Sequence, residues 1–208
     1  TTFEMVLGGV GAATGAAIGF FLIHGTIIGD RFAEWIAPIL SLLRPTVEIT
    51  ASPEIIIFAL AGCLTGWGLT LAGGFGQERR PIVAGVTGVL GYSVAWLIWQ
   101  SSSFALPALG FVSAIAVVPL VLGLGLPSHY LVHAVVAAVG MGTVFGGLAS
   151  LNVWSNDIFG NVFSKSAGNL DAFINTIGFF CFWGVILGFW LGVSYYLLVP
   201  VLRWLGWR

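Results

Sequence analysis

Six long stretches of this chain carry no charge in their interiors: 5–29, 54–75 (Glu54 is its first residue), 82–99, 106–126, 127–150 and 172–199. Each approaches or exceeds the roughly 20 apolar residues that cross the hydrocarbon core of a bilayer. A soluble domain has about 25% charged residues with which to meet water. This chain of 208 residues has 7% charged and 58% hydrophobic residues, so a soluble globule is excluded as its fold class. The expectation is an all-α, polytopic transmembrane helix bundle of about six spans, forming a single membrane-embedded domain over 1–208.

The first stretch shows how such helices pack. Gly11, Gly15 and Gly19 recur every four residues, with Gly8, Ala12 and Ala16 in a row beside them. In water this composition makes a poor helix, each Gly costing about 1 kcal/mol relative to Ala. In lipid it makes a flat strip on which a neighbouring backbone can lie. The same spacing recurs at Gly62 and Gly66 with Thr70 and Gly74. It returns at Ala134, Ala138, Gly142 and Gly146, and at Gly184, Gly188 and Gly192. These glycines are the expected helix-packing positions.

Between the spans, Phe32, Trp35, Ile36, Ile39, Leu40 and Leu43 follow the spacing of one helical face. With Glu34 and Arg44 nearby, 32–43 reads as an interfacial amphipathic helix, with Trp35 at headgroup depth. The segment 151–171 is rich in Asn, Ser, Asp and Gly yet holds Trp154, Ile158, Phe159 and Phe163. It is expected to fold back on the bundle. The first apolar run lacks a basic leader, so it reads as a retained span. The chain starts Thr-Thr without Met, which fits a processed protein or the membrane part of a longer one.

Six spans put both termini on one side. Arg79, Arg80, Arg203 and Arg208 share that side, against Arg31, Arg44 and Lys165 on the other. The excess of Lys and Arg near span ends favours N and C termini on the cytoplasmic side. The formal net charge of −1 gives no footprint for nucleic acid. The partners implied are the lipid bilayer and other membrane subunits or a second copy of the chain.

Reactive chemistry is scarce. No span carries a titratable carboxylate or an Arg ladder at depth, which argues against a proton-coupled carrier and a voltage sensor. Gly73-Gly74-Phe75-Gly76 lacks the Lys-Ser/Thr that completes a phosphate loop. Gly110-Phe111-Val112-Ser113 does not complete a nucleophile elbow. Cys63 and Cys181 sit within apolar runs and read as small hydrophobes.

The remaining candidates are histidines. His129 and His133 are spaced i, i+4, so both rings share a helical face, with Glu78 on the same membrane side as a conceivable third ligand. His24 lies near the far end of the first span. All three are candidate ligands for haem or pigment, although no motif specifies a cofactor. Packing chemistry with so little reactive chemistry reads as a non-catalytic integral membrane subunit or anchor within a larger assembly. The competing readings are a channel or carrier for a small neutral solute, and a pigment- or haem-binding subunit.

Overall fold

The computed structural model describes residues 2–28, 31–32, 34–35, 38, 53–72, 81–102, 107–124, 131–150 and 170–205. They form six helices: α1 (Thr2–Gly25), α2 (Ile55–Leu71), α3 (Pro81–Ser102), α4 (Pro107–Leu124), α5 (Leu131–Ser150) and α6 (Leu170–Trp204). No strand occurs among the described residues. The expected helix at 32–43 falls mostly outside them, with Phe32, Glu34, Trp35 and Pro38 helical. The segment 151–169 lies outside them altogether.

Prolines mark the helix starts for a local reason. Pro81 and Pro107 open α3 and α4, where the missing N–H would have had no intrahelical partner anyway. Helix α3 thus begins one residue before the apolar stretch 82–99. Pro119 and Pro200 sit inside α4 and α6. The last helix continues through Pro200 to Trp204 for 35 residues, further than the boundary at Val199 expected from composition. Apolar surroundings offer a freed carbonyl no better conformation than helix, so an interior proline bends such a segment more readily than it ends it.

The helices form a closed cycle in which each packs against its sequence neighbours and α6 returns to α1. Close approaches fix the directions. Gly11 faces Leu64, Gly15 faces Leu60 and Gly19 faces Ile57, so α1 and α2 run antiparallel. Gly62 meets Gly88 and Gly66 meets Ala84, which makes α2 and α3 antiparallel as well. Gly8 lies on Gly184 and Gly188 on Glu4, so α6 runs against α1. On the far side, Gly123 meets Ala134 while Gly142 and Gly146 face Val112, orienting α4 against α5. His133 next to Ser194 and Phe145 next to Phe182 orient α5 against α6. The first turn of α1 and the final turns of α6 thus lie at one end of the bundle.

Among the described residues, three stretches are long and apolar enough to cross a membrane: Thr2–His24, Pro81–Trp99 and Leu170–Ser194. The other three helices hold shorter apolar stretches, Ile55–Leu71, Val112–Gly123 and Val132–Leu148. At 1.5 Å per residue, α2 is about 25 Å long, somewhat less than a bilayer core.

The axis of the cycle is filled. From α2 comes Phe58, from α3 Tyr92 and Trp96, and from α6 Phe179, Phe180 and Trp183, all buried. Phe58 stands edge-on to Phe180 at 4.9 Å, and Tyr92 lies 4.7 Å from Trp183. Such offset and edge-on pairs each add about 0.5–1.5 kcal/mol beyond the area they bury. Beyond α6, the core continues through Phe145, Met141, Ile115, Val118 and Leu122.

Candidate functional site

Helix α1 is where composition and packing meet most directly. A Cβ added at Gly11 would strike the carbonyl of Leu64, and one at Gly15 would strike the carbonyl of Leu60 and the Cα of Ala61 at 2.6 Å. At Gly19 the obstacle is the Cα of Ile57 at 2.7 Å. Separations below 3.0 Å are essentially never tolerated by real Cβ atoms, and the obstacles here are backbone atoms that no rotamer change removes. On the other flank of α1, Gly8 and Gly184 are reciprocal: each occupies the space a Cβ of the other would need. Gly188 is held against the Glu4 carbonyl in the same way. The result is one helix clamped between two others at backbone contact, a spacing at which Cα–H groups face carbonyl oxygens and add weak attraction.

The remaining small-residue positions divide. Gly62 and Gly66 lie against the carbonyls of Gly88 and Ala84 in α3. Gly142 and Gly146 touch only side chains of α4 at ordinary van der Waals distance. Gly192 is buried in α6. Further close-contact glycines went unnoticed in the sequence, Gly68, Gly88 and Gly140 among them. Gly68 sits on the Leu7 carbonyl, Gly88 pairs with Gly62, and Gly140 receives the Trp190 indole. Ala84 and Gly88 are four apart and repeat the signal that marked α1, whereas Gly140 has Val136 and Val144 at that spacing.

The histidines do not converge. His24 is exposed in the last turn of α1, its ring 4.3 Å from Phe20, which in turn stands edge-on to Phe173 at 5.3 Å. His133 is buried near the start of α5, at the opposite end of the bundle. With the helices antiparallel, the two are on the order of 30 Å apart along the axis. No single haem or metal could be held by both. His129 and Glu78 lie outside the described residues. Among the described residues, no group of three or more His, Cys, Asp or Glu side chains is positioned to hold a metal ion.

The surroundings of His133 assign its proton. Its Nδ1 is 3.1 Å from Ser194 Oγ, and Ser194 donates its one hydroxyl proton to the Leu191 carbonyl at 3.0 Å. The Ser194 oxygen therefore accepts from Nδ1–H, and in the neutral ring Nε2 carries the lone pair.

Two buried polar groups occupy the aromatic axis. Thr65 donates to the Ala61 carbonyl at 2.6 Å, so its contact with Tyr92 at 3.5 Å uses the tyrosine hydroxyl as donor. At the limit of hydrogen-bonding distance this contact is weak. Tyr92→Phe is accordingly expected to cost less than about 1 kcal/mol of stability, measured by denaturant titration in detergent micelles. Trp183 is the second case: its Nε1 finds no hydrogen-bond partner although the side chain is only 1% exposed. Glu4 is buried in the first turn of α1. Cys63 and Cys181 are free thiols on different helices.

No protein-family model, curated protein or solved structure matches the chain.

Proposed function

We propose that the chain is a non-catalytic, six-span membrane subunit that anchors or braces a larger membrane assembly. The observation that supports this reading most directly is the filled axis. Phe58, Tyr92, Phe180 and Trp183 occupy the space a solute path would need, and they are buried against one another. A central channel would have to displace these rings, at a cost that aromatic core truncations put at about 3–5 kcal/mol each. The same rings suit a rigid element whose outer surface meets lipid and partner subunits. Exposed Val6, Val10, Phe21, Ile82, Val86, Val139 and Ile174 form an apolar exterior compatible with both.

On this reading α2, α4 and α5 also cross the bilayer, with local thinning or interfacial flanks making up for the short α2. Both termini then share the cytoplasmic side. Cysteines introduced at Ser41 and Ser102 should react with a membrane-impermeant reagent from one and the same side; labelling from opposite sides would break the six-span topology.

Histidine ligation of a pigment or haem is the second reading, favoured by the exposed His24 ring tilted against Phe20. Native purification decides between them. The anchor reading expects stoichiometric co-purifying membrane proteins, a colourless preparation, and no solute flux after reconstitution into liposomes. A bound chromophore lost on His24→Gln or His133→Gln would place the cofactor reading first, and flux of a neutral solute would restore the channel.

A further inference from the structure

The six helix interfaces are not of one kind. Where α1 meets α2 and α6, and where α2 meets α3, glycines bring backbone onto backbone. Atoms held that way have no rotamers with which to adjust, so these four helices share a stiff frame. The interface between α5 and α6 is built differently. It is the sparsest of the six neighbouring pairs. Its close contact is a side chain on a glycine, the Trp190 indole lying over Gly140, with Cε3 2.6 Å from where a Cβ would stand. An indole can change rotamer where a backbone carbonyl cannot. The Trp190 Nε1 is buried there without a hydrogen-bond partner, so the closed seam leaves a donor unsatisfied.

The seam also carries a polar contact, His133 Nδ1 to Ser194 Oγ. Ser194 and Trp190 are four residues apart on α6, and His133 and Gly140 seven apart on α5, so both contacts lie along one line. A single hydrogen bond between helices in lipid is weak. It can bias a closed state without locking it. On its other side α5 meets α4, which lies outside that frame, through side chains: Ala134 Cβ fills the space beside Gly123, and Val112 and Ala116 face Gly142 and Gly146.

We propose that α5 is the moving helix of this bundle. It parts from α6 along the Gly140–Trp190 line, with the His133–Ser194 hydrogen bond as the latch, while α1, α2, α3 and α6 stay together. Opening turns the buried His133 ring and the Trp190 indole toward the bilayer. This inference goes beyond the anchoring role and does not depend on it.

Pairs of spin labels in lipid nanodiscs test it, in a chain with Cys63 and Cys181 replaced by alanine. One pair spans the seam at Val139→Cys and Phe189→Cys; the other spans the frame at Val10→Cys and Trp67→Cys. All four positions are exposed, so the labels do not disturb the core. The expected result is two distances, or a distribution at least twice as broad, across α5 and α6, against one narrow distance across α1 and α2. Adding Ser194→Ala should shift weight to the longer seam distance. Equal narrow distributions for both pairs would overturn the proposal, and they decide it even where Ser194→Ala fails to fold. A seam distribution unmoved by Ser194→Ala would overturn the latch.

Discussion

Gly15→Leu should unfold this bundle at a much lower denaturant concentration than the parent, with a loss of about 3 kcal/mol, the upper part of the range for overpacked cores. Two effects oppose each other. Leucine is the better helix former by about 0.8 kcal/mol. Against this, its Cβ alone would meet the Leu60 carbonyl carbon at 2.5 Å and the Ala61 Cα at 2.6 Å, before the rest of the side chain is placed. Relief requires α1 and α2 to separate along their whole contact, which also loosens Gly11 and Gly19. Steric cost therefore wins. Gly147→Leu is the matched comparison, since a Cβ there meets nothing within 4 Å and only the propensity gain remains. Denaturant titrations in one detergent should show opposite signs for the two variants. If both moved stability alike, close helix approach at Gly15 would not be what holds α1 in place.

Trp183→Ala is expected to cost about 3–5 kcal/mol, as large aromatic truncations in packed interiors do. Trp183 touches Tyr92, Phe179, Phe180 and Phe58, rings supplied by three helices, so its removal leaves a void at the one place where α2, α3 and α6 meet. Trp183→Phe should retain most of the stability. It keeps a ring in the stack and removes an N–H that has no acceptor, so no hydrogen bond is lost with it. The contrast between the two substitutions, read from thermal unfolding in detergent, separates ring packing from polar contribution. A phenylalanine variant as unstable as the alanine variant would mean that the indole donor has an acceptor essential to the fold.

The helices were legible in the sequence as long uncharged stretches, and three of them are long and apolar enough to cross a membrane. The α1 interface was legible as a row of small residues, but its partners were not. Spacing places Gly11, Gly15 and Gly19 on one face without naming what lies on it, and Leu60, Leu64 and Ile57 offer no complementary pattern. Gly140 was unreadable for a related reason: the indole that fills its notch belongs to Trp190, fifty residues away. The histidines read as possible ligands because residue type says nothing of depth or end; antiparallel packing puts His24 and His133 at opposite ends.

The closure of the cycle has a consequence for biosynthesis. Helix α1 leaves the ribosome well before α6, yet they share the Gly8–Gly184 contact. Some 145 residues separate the end of α1 from the start of α6, which at about 5–20 residues per second is roughly 10–30 s of translation. Throughout that interval Gly8 and Gly9 of α1 face lipid or an insertion factor, a surface shaped for a backbone that does not yet exist. Nascent chains halted before α6 should accordingly be retained by membrane quality control, while supplying α6 as a separate polypeptide should rescue them.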